Sequence, residues 1–272
     1  MSAPAKRYAD LVFLDKAGTP RLARCALLFL DLLGVTEMAR SPHAQQNLVD
    51  LEQAIRGLQL RDFLDPDSAW PAAIFSDTLV MAAPTELFGG DDAAVTGLLL
   101  QVSSLQLSLA ERGFFARGSI TLGEFYLRDE LVFGDALVEA YELENNFAIH
   151  PRVILSPEVL EAQRQNQDIF VAAGGGQSAT LLLRDRDGRA FVNYLEIPLG
   201  ETDNPAPQLK AHRDALAGKL RAYRDNSRVW EKYRWVSEYH NHFCNEHKDE
   251  DWFAPALLIP AADLAQELRP IA

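Results

Sequence analysis

The chain has 272 residues, 48% of them hydrophobic and 24% charged, with 16 Gly and 14 Pro. That composition excludes a fibrous, collagen-like or wholly disordered protein. Its 39 acidic residues outnumber 26 basic ones, for a net charge of −13, which speaks against a nucleic-acid coat or a membrane-surface protein. Cys25 and Cys244 both lie in apolar sequence, and the N-terminal MSAPAKRYADLVF lacks the apolar core of a signal peptide. Together these features predict a cytoplasmic protein with reduced thiols. The apolar run CALLFLDLLGV is interrupted by Asp31 and is too short to span a bilayer.

In chain order, residues 24–30 predict a buried strand running into Asp31 and Gly34. Leu48, Leu51, Ala54, Ile55 and Leu58 stand at helical spacing, predicting a helix over 36–60. AAIF and TLVMAA flank Ser76-Asp77, the signature of a β-hairpin with that dipeptide at its tip. Asp91 and Asp92 are expected to cap a long helix that Gly113 stops. Residues 114–133 alternate as two strands, FFARGSITLG and EFYLRDELVF, before a helix opening near Gly134-Asp135. RVILS predicts a short strand, 157–165 a helix and AFVNYLEI a closing strand. With two hairpin links in this order, a mixed sheet covered by helices is expected over a doubly wound one. Residues 207–247 read as a long helix or helix pair, and DWFAPALLIP as a surface strap.

Two aspartates embedded in apolar sequence carry the chemistry: Asp31 in LFLDLLGVT and Asp77 in IFSDTLVM. A carboxylate beside a buried strand is costly unless a cation or donor compensates it. Two of them at neighbouring strand ends would form an oxygen-ligand site for Mg²⁺ or Mn²⁺. Taken singly, each also suits a plainer role, Asp31 as a helix cap and Asp77 as a turn residue.

The succession FLDLLGVT, FSDTLVMAAP, FARGSITLGE and VFGDALVEAYELE resembles the catalytic core of class III nucleotide cyclases over about residues 22–200. The resemblance implies an α+β, mainly antiparallel sheet covered by helices, preceded by a segment 1–21 and followed by a helical extension over 201–272. It places two Mn²⁺ or Mg²⁺ ions on Asp31, Asp77 and the carbonyl of Leu32. It further implies that the turn Gly34, Val35 and Thr36 holds the β- and γ-phosphates, and that Arg117 binds phosphate. The positions that read adenine in such cyclases hold Ala73 and Leu131, and those that stabilise the transition state hold Val138 and Glu142.

The run VFGDALVEAYELEN…HPRVILSP, with WEKYRWVSEYHNHF in the tail, resembles the pyrimidine cyclases of bacterial Pycsar antiphage systems. That likeness implies UTP or CTP as substrate, a homodimer with shared sites, and an effector encoded nearby that senses the cyclic nucleotide. Phe75 and Phe133, beside the two base-reading positions, are bulky enough to exclude a two-ring base if their rings enter the pocket. With no Asp or Glu at those positions to accept cytosine's amino group, UTP is favoured over CTP. A catalytically silent nucleotide-binding module is the alternative.

Three weaker signals remain. His240, Cys244 and His247 stand at i, i+4 and i+7, either as zinc ligands or as one face of an amphipathic helix. The stretch 172–179 (AAGGGQSA) lacks the Gly-Lys-Ser/Thr ending of a phosphate-binding loop and reads as a hairpin loop. The tail aromatics Tyr223, Trp230, Tyr233, Trp235 and Tyr239 read as core or dimer packing.

Overall fold

A computed structural model of the chain describes residues 8–57, 70–128, 131–164, 181–196 and 202–264. The glycine-rich stretch 172–179 and position Leu58 lie outside these residues. After a short helix α1 (Tyr8–Phe13) comes β1 (Ala23–Leu32), followed by α2 (Val35–Arg40) and α3 (Ala44–Gly57). The expected single helix over 36–60 is thus two. Pro42 has no N–H to donate, and Ser41 before it takes an extended ψ of 158°.

The hairpin forms as expected, with β2 (Ala72–Phe75) and β3 (Thr78–Pro84) joined at Ser76-Asp77. After the one-turn helix α4 (Thr85–Phe88) comes α5 (Asp91–Glu111), whose N-cap is Gly90 and not an aspartate. Asp91 is drawn aside by Arg24, whose Nε donates to both its carboxylate oxygens at 2.9 and 3.1 Å. By length and apolarity α5 could cross a membrane, but Leu98, Leu99, Val102 and Leu109 are buried against the sheet.

The two strands expected over 114–133 are a long strand β4 (Ala116–Arg128) and a short return strand β5 (Leu131–Phe133). Gly123-Glu124 makes no turn because both residues stay in register with β1. Among the described residues the remaining elements are α6 (Asp135–Phe147), β6 (Val153–Leu155), α7 (Pro157–Arg164), β7 (Leu182–Arg184), β8 (Ala190–Val192), α8 (Ala206–Ala222), α9 (Ser227–Glu246), a 3₁₀ turn (Pro255–Leu257) and α10 (Ala261–Leu264). Strand β7 had no counterpart in the sequence reading. It pairs with β8, which holds only three of the eight residues expected in a strand there.

The described strands form one sheet in the order β2-β3-β1-β4-β6-β8-β7, with β5 paired to β4. Among the described residues only β4 and β6 run parallel. The architecture is therefore the expected mixed, mainly antiparallel α+β fold. Alternation along β1 divides the core. Cys25 and Leu27 join Val80, Ala82 and Phe125 under α1 and α6. Ala26, Leu28 and Leu30 join Met81, Ile120 and the apolar side of α5 on the other face.

That second core continues without a break into the C-terminal helices through Leu209, Leu216, Trp230, Tyr233, Val236 and Phe243. The strap over 251–260 is pinned by Asn241, whose side chain accepts from Ile259 N at 2.8 Å and donates to Ile259 O at 2.9 Å.

Candidate active site

Strand register brings the two aspartates together. Asp31 is the penultimate residue of β1 and stands opposite Thr78 of β3 on one side and Arg117 of β4 on the other. Asp77 is one residue from that same rung, and its carbonyl accepts from Leu32 N at 3.0 Å. The turn that aims it is strained. Ser76 has a φ of 59°, the one positive value at a non-glycine among the described residues, at a cost of about 1 kcal/mol.

Behind Asp31 lies an ion-pair cluster that the sequence reading missed. Arg117 Nε is 3.4 Å from Asp31 Oδ2 and 2.7 Å from Glu144 Oε1. The Glu144 contact is an ion pair in distance but lies off the line of a hydrogen bond. Glu144 is buried on the inner face of α6. That helix can approach closely because β4 presents small hydroxyls to it: Ser119 donates to Ala140 O at 2.7 Å and Thr121 to Ala136 O at 2.8 Å. Next to Arg117, only glycine fits at 118, where a Cβ would stand 2.3 Å from Phe29 O.

Burial pushes the Asp31 carboxyl up, the Arg117 guanidinium pulls it back, and the charge of Asp77 adds to the rise. Glu144 is likewise raised by burial and held down by Arg117. Asp31 therefore sits in repulsion with a second carboxylate, a charge arrangement that a divalent cation relieves. All the donors are oxygens, as Mg²⁺ and Mn²⁺ prefer, and two carboxylates suffice where substrate phosphates complete the shell.

These residues open onto a cavity of about 510 Å³. Asp31, Leu32, Asp77, Arg117 and the turn Gly34, Val35 and Thr36 all line it. Gly34 has a φ of 85°, a left-handed conformation that favours glycine at the turn into α2. Phe75 and Phe133 lie elsewhere: neither lines the cavity, and their side chains are exposed on edge strand β2 and on β5. Leu131, Val138 and Glu142 are also exposed, on β5 and the outer face of α6.

The opposite wall comes from the C-terminal helices, through Tyr223, Asn226, Arg228, Val229 and Lys232, with Glu37 of α2 beside them. The only sequence signals for this wall were the helical reading of 207–247 and its aromatic series, which includes Tyr223.

The other proposed ligand cluster resolves into a neutral relay. His240 Nε2 donates to Leu257 O at 2.9 Å, so its Nδ1 accepts from His212 Nδ1 at 3.1 Å. His212 Nε2 then accepts from the Tyr194 hydroxyl at 2.8 Å. Both imidazole nitrogens of His240 are thereby engaged, and Cys244 is a buried thiol that burial pushes up to about 12.

No protein family and no curated protein matches the sequence. Among solved structures, the chain is similar to the adenylyl cyclase CyaB of P. aeruginosa, at 10% identity and a TM-score of 0.46 over 63% of this chain and 94% of that one. It is similar to a class III adenylyl cyclase-like ATP-binding protein of Pseudomonas aeruginosa, at 8% identity and 0.41 over 66% and 40%. It is also similar to an adenylate/guanylate cyclase/hydrolase of Silicibacter pomeroyi, at 17% identity and 0.36 over 63% and 95%. With TM-scores below 0.5, these likenesses assign no chemistry, and the reading of the site rests on its own residues.

Proposed function

We propose that the protein is a metal-dependent nucleotide cyclase that converts UTP to cyclic UMP and pyrophosphate. The observation that carries this reading is the approach of Asp77, one residue before the rung of Asp31, to Asp31 at the rim of a cavity lined also by the cationic side chains Arg117, Arg228 and Lys232. Cyclisation is attack of the ribose 3′-hydroxyl on the α-phosphorus with departure of pyrophosphate. Mg²⁺ or Mn²⁺ held by Asp31, Asp77 and the Leu32 carbonyl would supply charge neutralisation at the phosphates. Arg117 presents further donors from the same wall, and the amides of Val35 and Thr36, at the first turn of α2, have no intrahelical partner.

The choice of a pyrimidine follows the resemblance, which puts the base-reading positions at Ala73 and Leu131; neither lines the cavity within this chain, and neither side chain can hydrogen-bond a purine edge. The messenger role in antiphage defence, and a cyclic-nucleotide-sensing effector encoded nearby, accompany the resemblance to Pycsar cyclases. A homodimer completes the site in this reading. It is supported by the apolar residues Leu131, Phe133, Val138, Tyr141 and Ile149, exposed along β5, the outer face of α6 and the residues just after it.

Pyrophosphate release from nucleoside triphosphates in Mn²⁺ tests the proposal. Release is expected to stop with EDTA and to be abolished in Asp31→Asn and Asp77→Asn, both with melting temperatures at or above wild type. An Asp31→Asn protein that keeps most of its turnover contradicts the metal assignment. Nucleotide binding without any release leaves only the silent binding module.

A further inference from the structure

The C-terminal helices carry two basic side chains whose position has a use. Arg228 and Lys232 lie one turn apart on α9 and line the same cavity as Asp31, Asp77 and Arg117. The Nε of Arg117 is committed to Asp31 and Glu144. Among the described residues, Arg228 and Lys232 have no carboxylate within ion-pair distance. In a chain of net charge −13, two such cations beside a carboxylate pair mark a place where a polyanion is welcome.

Their setting is rigid. Trp230, Tyr233 and Val236 anchor the same helix in the core. The relay from Tyr194 through His212 to His240, and the Asn241 clamp on the strap, fix it to the sheet and the C-terminal segment. Burial and the like charges of Arg117 and Arg228 hold the Lys232 ammonium below its ordinary range, against the pull of Asp31 and Glu37. A lysine crowded in this way gains from an added anion. Among the described residues Glu37 is the one carboxylate lining that side of the cavity, and its charge also reaches Tyr223 and Tyr233.

We infer that Arg228 and Lys232 form the polyphosphate-holding wall of the site, so that the C-terminal helix pair supplies part of the triphosphate subsite in its own chain. The inference rests on the reading of the cavity as a nucleoside triphosphate site. It gives the segment after residue 201 a role in binding as well as in packing. Arg228 is exposed and Lys232 half-buried, so both can be replaced without opening the core.

The test is calorimetric titration of the full chain with inorganic tripolyphosphate in Mg²⁺, beside cyclase assays on the same proteins. Arg228→Ala and Lys232→Ala are each expected to weaken tripolyphosphate binding about tenfold, as befits one lost charge-assisted bond. Lys232→Arg should restore most of the affinity, and Lys248→Ala, on the exposed turn after α9, should leave it unchanged. Unaltered melting temperatures would exclude a folding defect. Wild-type affinity in both alanine variants overturns this inference and leaves the cyclase reading standing. Weakened binding in the variants with no cyclic product from wild type overturns the cyclase reading and supports the cation wall. A wild type that binds no tripolyphosphate overturns this inference, and the product assay alone then decides the cyclase reading.

Discussion

At the scale of the residue, the arrangement turns on Arg117 and the two carboxylates it touches. Glu144 is buried and has Arg117 as its cationic partner, so removing the arginine strands a charge inside the protein. Arg117→Ala is therefore expected to lower stability by roughly 3 kcal/mol. Arg117→Ala with Glu144→Gln should recover a large part of that loss, which urea unfolding of the two variants and wild type measures. Equal losses in the single and double variants would show that the ion pair contributes little. Asp31 and Asp77 were legible in the sequence because charge amid apolar residues is rare and needs a reason, whereas Arg117 was reached only through the family resemblance. Glu144 was not legible, since one glutamate among several on an amphipathic helix carries no mark of facing inward. Arg228 and Lys232 escaped for a similar reason: one helical turn of spacing says which face they share, but not what that face meets.

At the scale of the element, the relay joining Tyr194, His212 and His240 ties the end of the sheet to α8, α9 and the strap. Both imidazoles are buried and neutral. Burial holds His212 well below its ordinary value, with His240 adding to the fall, and holds His240 down to about 4. An unfolded histidine titrates near 6.5, so the unfolded chain binds more protons between that pH and the folded value. The stability contributed is whole above about pH 6.5 and is lost as pH falls toward 4, at about 1.4 kcal/mol per pH unit for each histidine. The raised carboxyls of Asp31, Glu139 and Glu144 push the other way, so the difference between variants is the informative quantity. His240→Gln, which keeps a donor for Leu257 O, should lose less stability than wild type between pH 7 and pH 5 in urea titrations. Identical losses would remove the relay from the account.

Elements with a period or a turn signal, such as the Ser76-Asp77 hairpin and α5, were readable in the sequence. Strand β4 was misdivided because Gly123-Glu124 resembles a turn, whereas pairing to β1 holds it straight. The break at Pro42 was overlooked because the apolar spacing beyond it continues. The three-residue strands β7 and β8 owe their form to pairing partners and not to local preference.

At the scale of the whole molecule, the exposed apolar strip along β5 and α6 sets the expectation for assembly. Tyr141→Asp with Phe133→Asp is expected to give a monomer by analytical ultracentrifugation, with cyclase activity lost together with the dimer. Full activity in a verified monomer would refute the shared site. The mixed, helix-covered sheet was readable in outline, but its strand order and the joining of the C-terminal helices to the main core were not, because no local pattern records which strand pairs with which or which face a distant helix will cover. The central claim, a metal-dependent cyclase for pyrimidines, is tested most directly by competition. Wild-type protein is given equal ATP, GTP, CTP and UTP with Mn²⁺, and the cyclic products are separated by chromatography. Cyclic UMP is expected to dominate; cyclic CMP as the main product would correct the base, and cyclic AMP, or no cyclic product from any of the four, would contradict the claim.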